Sequence, residues 1–323
     1  MRFSVQHISY DLFSVVMGIT GLGLAWRSAA LEFGLPQRVG ELVLSIGLGI
    51  FVVLILVQVV RLTCALKYVM DEWKNASRRN FFCAATISGA LLSQALLPYS
   101  NIAATCLWIL AVCAQIVFLG FMLRHWFLEE VSHNELSPAW LIPMVGNASP
   151  SFAGVTLGYA AFCKILLTSA LLCWAMFLPL ILYRIIFVSP KISAAAMPGL
   201  AILVSAPAVI AIAVYNFAGE ANVFVEFLAW TSLFFAVVVF SLGRRLVTSA
   251  FSRQWWAFTF PSTALASSLI RVYHTDANDL NLALALTSLG ISTVIVIYVG
   301  YRSITSNTWI ASRIAQAQSR TLE

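Results

Sequence analysis

The sequence is poor in charged residues. Asp, Glu, Lys and Arg make up 10% of its 323 residues, against roughly 25% in soluble globular domains. Hydrophobic residues amount to 61%, and the mean hydropathy is +0.90. The apolar runs are long and continuous, whereas a membrane barrel would show short segments of alternating polarity. The composition excludes a soluble globular protein and predicts an all-α integral membrane protein.

The sequence also lacks the residue groups that enzymes and metal proteins need. Its four histidines fall in predicted loops or at predicted helix ends, and its six cysteines show no metal-ligand spacing such as Cys-x-x-Cys. It contains no nucleophile–base–acid grouping and no glycine-rich nucleotide-binding motif. We therefore expect no enzymatic activity, no cofactor and no metal, and we expect the cysteines to be small packing residues.

Ten segments are apolar enough to cross a bilayer, whose core needs about 20 residues of helix. The turns between some of them are so short that consecutive spans must run antiparallel. We therefore expect one transmembrane domain over residues 1–323, built from five helical hairpins. The predicted spans are 13–31, 39–62, 80–99, 102–123, 139–159, 162–187, 195–217, 223–243, 252–271 and 281–304.

The basic residues are distributed unevenly between the two sides of this arrangement. If both termini are cytoplasmic, all of the 19 Lys and Arg residues except Arg27, Arg38, Lys164 and Arg271 lie on the cytoplasmic side. The positive-inside rule then predicts cytoplasmic N- and C-termini. The net charge of +6 is thereby explained by membrane topology, and we expect the lipid bilayer rather than nucleic acid as the partner.

The odd-numbered spans differ in kind from the even-numbered ones. Even spans are continuous apolar runs apart from Pro179, whereas odd spans carry Gly, Ser, Thr and Pro in mid-membrane. Small residues let helices pack closely, but a helix break in lipid must face protein or a water-filled cavity. We therefore predict five inner odd helices around a central pore, sheathed by five outer even helices. The candidate pore kinks are Pro143, Pro198, Pro207 and Pro261, and the candidate pore-lining residues are Gly18, Gly21, Ser88, Gly89, Gly146, Asn147, Thr259 and Thr263. For Asn147 an interhelical hydrogen bond is the alternative role.

The predicted pore wall lacks acidic residues, because no Asp or Glu falls in the middle of an odd span. Cation pathways usually display carboxylates at depth. A neutral polar lumen with the positive ends of bent helices, and with Lys164 and Arg271 near its outer mouth, favours an anion instead.

Residues 255–263 (WWAFTFPST) place a bulky ring at a predicted helix break. Pro261 has no N–H and clashes with the Ala257 carbonyl in a regular helix. The residue before a proline, here Phe260, is pushed away from helical geometry. Phe260 is therefore a candidate plug of the pore, and the alternative is an aromatic ring packed at a kink. Phe258 lies about 200° round the helix, where packing is expected.

Three motifs carry a resemblance to a known family: residues 13–18 (FSVVMG), 138–143 (PAWLIP) and 255–261 (WWAFTFP). With ten spans of compatible spacing, they resemble the tellurite-resistance/dicarboxylate transporter (TDT) family, which includes bacterial TehA proteins and plant slow-type anion channels. The resemblance implies a bacterial inner-membrane homotrimer. It also implies one pore per protomer, formed by the five inner helices and occluded by Phe260.

Two functions remain open. One is an anion channel that passes small anions passively through a pore closed by a phenylalanine gate. The other is a proton-coupled secondary carrier or exporter for C4-dicarboxylates, sulfite or tellurium oxyanions. A carrier of dicarboxylates is expected to hold Arg or His at mid-membrane. Every Lys and Arg lies near a span end, which favours the channel.

Overall fold

The computed structural model describes residues 8–243 and 251–306, and all regular secondary structure within these ranges is helical. The α-helices are Phe13–Phe33 (α1), Gln37–Cys64 (α2), Leu66–Lys74 (α3), Ala76–Arg79 (α4), Phe82–Leu96 (α5), Asn101–Leu128 (α6), Leu141–Val145 (α7), Ser151–Gly154 (α8), Ala160–Phe187 (α9), Ile202–Ala218 (α10), Val223–Ser241 (α11), Thr259–Thr275 (α12) and Asp279–Thr305 (α13). Short 3-10 helices cover Tyr10–Leu12, Pro138–Trp140, Gly146–Ala148, Ala194–Ala201 and Arg253–Phe258.

Within the described ranges, seven helical segments are long and apolar enough to cross a membrane. They are Tyr10–Phe33, Gln37–Cys64, Asn101–Leu128, Ala160–Phe187, Ala196–Ala218, Val223–Ser241 and Asp279–Thr305. The other three predicted spans are shorter or interrupted: α5 has 15 residues, residues 138–154 form a series of short helices, and α12 has 17 residues after a 3-10 helix.

The long helices fall into two groups by burial. The most apolar stretches of Tyr10–Phe33 and Ala196–Ala218 are 67% and 83% buried, whereas those of the other five are between 22% and 33% buried. The short helices α5 and α12 also bury most of their residues. Many large apolar side chains of the second group are exposed, which suits helices that have one face toward lipid tails.

Five segments form an inner ring: α1, α5, residues 138–154, α10 and α12. Helix α1 contacts α5 and α12, α10 contacts α12, and the short helices of residues 138–154 fill the space between α5 and α10. Each inner helix also packs on an outer one, as α1 does on α2, α5 on α6, α10 on α11 and α12 on α13. The ring therefore surrounds a central axis.

Three of the four predicted kink prolines lie where helix type changes. Pro261 is in the first turn of α12, directly after the 3-10 helix Arg253–Phe258. Pro198 is in the 3-10 helix before α10, and Pro143 is in the five-residue α7 between two 3-10 turns. For Pro261 and Pro143, which lie within the first three residues of their α-helices, the missing N–H is tolerated because the first N–H groups of an α-helix have no intrahelical acceptor.

Pro207 behaves differently, because α10 continues through it as an α-helix. Pro207 cannot donate to the carbonyl four residues before it. The next carbonyl, that of Val204, accepts a hydrogen bond of 2.7 Å from the Ser232 hydroxyl of α11. A neighbouring helix thus supports the backbone beside the proline, and the helix is not interrupted at Pro207.

A buried ion pair joins the chain ahead of α1 to α2 and α3. Arg61 is fully buried, and its Nη2 lies 2.6 Å from Glu72 Oε1. Its Nη1 donates to the Ile8 carbonyl at 2.6 Å, and Gln58 Nε2 donates to the same carbonyl at 2.9 Å. The pair therefore fixes the position from which α1 starts.

Replacing Glu72 by Gln is expected to lower the free energy of unfolding by about 3–5 kcal/mol, because it leaves the Arg61 guanidinium buried without a counter-charge. Thermal unfolding in detergent measures the change. Asp71→Asn removes one acidic charge from an exposed position of the same helix and should change stability by less than about 0.5 kcal/mol. Equal shifts for the two variants would contradict a stabilising role for the buried pair.

Candidate pore

Two cavities lie inside the ring, and all five segments line both. The space for the centres of water molecules is about 60 Å³ in the larger cavity and about 20 Å³ in the smaller one. In every segment the larger cavity contacts lower-numbered residues than the smaller one, for example Met17 against Leu24 in α1 and Val209 against Ile212 in α10. The five segments therefore run in the same direction, and the cavities follow one another along the axis.

The ring of Phe260 lies between the cavities. Among the described residues, Phe260 is the one that lines both of them. It is 9% exposed, and a Cβ atom on Gly21 of α1 would lie 3.3 Å from its Cδ2 atom. Trp256, Ala257 and Pro261 border the larger cavity only. Phe260 is therefore the residue that the two cavities share among those that the structure describes.

Gly18 and Gly21 allow α1 to approach α12 closely. A Cβ atom on Gly18 would lie 2.0 Å from Thr259 Oγ1, and one on Gly21 would lie 2.5 Å from Thr263 Oγ1. The two threonine hydroxyls donate to carbonyls three residues back in their own helix, at 2.7 and 2.9 Å. Gly21 and Thr263 line the smaller cavity, whereas Gly18 and Thr259 line neither. Their part is to hold the helix that carries Phe260.

Ser88 and Gly89 were predicted to line the pore, but the structure places neither at a cavity. The Ser88 hydroxyl donates to the Ala84 carbonyl at 2.7 Å and to the Phe13 carbonyl of α1 at 3.2 Å. Gly89 faces α6, where a Cβ would lie 3.0 Å from Ala111. Ser88 and Gly89 lie away from the cavities because a different face of α5 lines them. The residues of that face are Ala84, Ile87, Leu91 and Gln94.

Gly146 lines the larger cavity, but the Asn147 side chain is bound into a network between helices. Asn147 is fully buried, accepts from Gln115 Nε2 at 3.0 Å and donates to Ser169 Oγ at 3.1 Å. Gln115 Nε2 also donates to the Pro143 carbonyl at 3.0 Å, and Gln115 Oε1 accepts from the Thr86 hydroxyl. The interhelical alternative for Asn147 is therefore the one that the structure supports.

Several polar residues of the walls were missed as candidates. They are Ser14, Ser149 and Ser205 in the larger cavity and Ser28, Gln94 and Ser267 in the smaller one, which Arg271, expected near the outer mouth, also lines. Their spacing within each helix, three, four or seven residues from other lining positions, was the available signal. The direction of the axis relative to each helix was unknown, so this signal could not select the correct face.

Residues 7–304 of this chain match the model of the family described as "Voltage-dependent anion channel". The chain belongs to that family. This finding confirms the resemblance to the TDT family that the three motifs carry. With seven candidate spans among the described residues, this member of the voltage-dependent anion channel family is a multi-pass membrane protein.

One curated relative of this family member is the S-type anion channel SLAH2 of Arabidopsis thaliana. The two sequences are 24% identical over 303 residues, which cover 89% of this chain and 57% of the plant protein. The chain therefore spans little more than half the length of that relative.

Replacing Gly18 by Ala is expected to lower the free energy of unfolding by about 1–3 kcal/mol. A methyl group at this position overlaps Thr259 and would push α1 away from α12. The thermal unfolding midpoint in detergent measures the effect. Gly290→Ala is the matched control, since a Cβ at this exposed position of α13 meets no atom within 4 Å. Equal stability of the two variants would contradict the close approach.

Replacing Asn147 by Ala is expected to destabilise the protein by about 1–3 kcal/mol, because Gln115 and Ser169 lose buried partners. The relative permeabilities of anions should stay unchanged, since the side chain lines neither cavity. Thermal unfolding and flux in proteoliposomes measure the two quantities. A change in anion selectivity without loss of stability would show that Asn147 contacts the permeating ion.

Proposed function

We propose that this protein is a channel that passes small anions through the inner ring, and that Phe260 is its gate. The observation that carries the proposal is the position of the Phe260 ring, which borders both cavities on the axis. A hydrophobic constriction stops ions by excluding water. Displacement of this single ring would join the two cavities into one passage.

The chemistry of the walls supports an anion as the permeant ion. Neither cavity is lined by Asp or Glu in the part of the chain that the structure describes. The walls offer hydroxyl groups and the guanidinium of Arg271 instead. Such a lining gives a cation no ligands of opposite charge. Membership of the voltage-dependent anion channel family supports the same function.

The finer architecture that we propose is ten spans arranged as five hairpins, with the odd spans inside. The five segments of the inner ring coincide with the five odd spans, and their burial supports this arrangement. The interrupted spans are then the inner ones, where a break faces protein or the cavities rather than lipid. Cytoplasmic termini follow from the basic residues. A homotrimer in the bacterial inner membrane follows from the family resemblance.

A coupled carrier for dicarboxylates, sulfite or tellurium oxyanions is the competing function. The two mechanisms differ in their energy source. A channel conducts many ions per opening, always down the electrochemical gradient. A proton-coupled carrier accumulates its substrate against a gradient when a pH difference is imposed. Uphill uptake driven by a pH gradient in proteoliposomes would therefore contradict the channel function and support the carrier function.

Replacing Phe260 by Ala is expected to raise the anion conductance about tenfold or more. In the wild type the ring must leave a buried site, which costs about 1.5–3 kcal/mol for Phe, and each 1.4 kcal/mol corresponds to a factor of ten. Planar-bilayer currents in chloride, nitrate, sulfite and malate measure the effect. Phe258→Ala is the matched control, because Phe258 packs against Trp255 and lines neither cavity.

A conductance of Phe260→Ala that equals that of the wild type, in protein that remains monodisperse and folded, would contradict the gate. An equal rise in Phe258→Ala would also contradict it, since loosened packing near residue 260 would then explain both results. A rise in Phe260→Ala alone supports a ring that acts within the passage.

A further inference from the structure

Helix α3 lies beside the bundle rather than beyond the end of α2. One residue, Ala65, separates the two helices, and its φ of −142° and ψ of 34° are not helical. If α3 continued the axis of α2, Glu72 would lie about 16 Å beyond Arg61. The side chains of these two residues instead meet at 2.6 Å. Helix α3 is therefore turned back toward the last turn of α2.

The last turn of α3 packs against α6. The ring of Trp73 lies 6.1 Å from that of Phe121 and 6.3 Å from that of Phe118. Phe121 precedes the end of α6 at Leu128 by about 10 Å of helix. Because α6 is long and apolar enough to cross the membrane, this contact places α3 near the depth at which lipid tails meet headgroups.

The outer face of α3 combines apolar and basic side chains. Leu66 and Met70, one turn apart, are 53% and 46% exposed. Lys67 and Lys74 are exposed beside them, and Lys74 follows Met70 by one further turn. A short helix with such a face binds a membrane surface through its apolar side chains and its cations together.

Helix α6 continues this pattern next to Trp73. Phe121 is 55% exposed, and Arg124, nearly one turn closer to the end of α6, is exposed on the same side. Because the rings of Phe121 and Trp73 are in contact, Lys74 and Arg124 flank one apolar patch that includes Met70. A ring followed by a cation toward the helix end matches the order of tail and phosphate in a phospholipid.

The protein itself does not neutralise the cations of this patch. In the part of the chain that the structure describes, neither Lys74 nor Arg124 forms an ion pair. Of the two acidic residues of α3, Glu72 is bound by Arg61, and Asp71 is exposed. Lys and Arg side chains near a membrane surface attract anionic lipids, so the charge of the patch suits a lipid with a net negative headgroup.

We propose that Met70, Trp73, Lys74, Phe121 and Arg124 form a binding site for an anionic phospholipid. Met70 and Phe121 contact the tails, and Lys74 and Arg124 bind the phosphate group. The site is separate from the pore, since none of the five residues lines either cavity. The bound lipid joins α3 to α6 and stabilises the folded protein, because it binds an arrangement that exists only in the folded state.

The apolar half of the patch distinguishes a phospholipid from a free phosphate ion. Exposed cations bind a small anion weakly in water, because the high dielectric constant reduces their attraction. A phospholipid adds contacts between its tails and the side chains of Met70 and Phe121. We therefore expect two preferences, one for a lipid over free phosphate and one for an anionic over a zwitterionic headgroup.

Native mass spectrometry of the full-length protein in detergent tests the headgroup preference with phosphatidylglycerol and phosphatidylcholine. The double variant Lys74→Gln/Arg124→Gln should bind phosphatidylglycerol about tenfold or more weakly than the wild type and phosphatidylcholine equally well. The matched control is Arg38→Gln/Lys164→Gln, which also removes one exposed Lys and one exposed Arg, at the other end of the bundle. All four side chains are exposed, so both variants should keep the melting midpoint of the lipid-free wild type.

A second pair of variants tests the tail contacts. Phe121→Ala should weaken the binding of both lipids about threefold or more, because it removes an exposed ring from the patch. Phe127→Ala is the matched control, since Phe127 is 81% exposed and lies on another face of α6. Equal losses in the two variants would contradict a tail contact at Phe121.

Weaker binding of phosphatidylglycerol in Lys74→Gln/Arg124→Gln, but not in Arg38→Gln/Lys164→Gln, supports the site. Equal binding by the wild type and the first double variant, or equal losses in the two double variants, would overturn it. Equal binding of the two lipids by the wild type would overturn the preference for an anionic headgroup. Displacement of the bound lipid by an equal concentration of inorganic phosphate would identify a site for a free anion instead.

Discussion

The contact between α1 and α12 is the constraint on which the rest of the pore depends. Gly18 and Gly21 bring the backbone of α1 against Thr259 and Thr263, one helical turn apart. Phe260 follows Thr259 directly in α12, and a Cβ atom on Gly21 would lie 3.3 Å from its ring. Any side chain at the glycines would move α12 outward, and the ring with it. Close packing of small residues is the usual means of bringing membrane helices together, because lipid tails give apolar side chains no reason to associate.

Three of the inner segments change helix type along their length. Prolines stand where 3-10 turns meet α-helix, in α7, before α10 and at the start of α12. Backbone groups near these changes find partners in neighbouring helices, as the Pro143 carbonyl does in Gln115 and the Val204 carbonyl in Ser232. The outer helices thus do more than separate the ring from lipid. They supply hydrogen bonds that a broken helix could not obtain from hydrocarbon.

The two cavities that share Phe260 differ in their chemistry. The first cavity is the larger one and is mostly apolar, and its polar side chains include the hydroxyls of serine residues. The second is small and carries the only guanidinium that lines either cavity among the described residues. An apolar stretch beside a hydrophobic ring opposes wetting, whereas a cation in a narrow space attracts an anion.

Much of the fold could be predicted from the sequence because composition and hydropathy act through the bilayer. The membrane class, the all-helical architecture and the contrast between buried and lipid-facing helices all follow from which residues hydrocarbon tolerates. Phe260, which among the described residues borders both cavities, was selected from the sequence because the proline after it and the motif around it mark the position, and its role as a gate stays a prediction. The lining residues were predicted less well. Ser88, Gly89 and Asn147 are small or polar residues in mid-membrane, as the pore wall requires, yet they serve helix contacts.

What the sequence determined by itself is therefore which segments are inner and where their helices are interrupted, since these depend on the residues of each segment alone. The rotation of each inner helix about its own axis was decided only by the tertiary structure. Packing against two neighbours sets that rotation, and it distinguishes Gln94, at the cavity, from Ser88, against α1. It also turned Arg271 toward the smaller cavity and left Lys164 on the surface. The two cations stand near the same end of the molecule, and only their surroundings make them different.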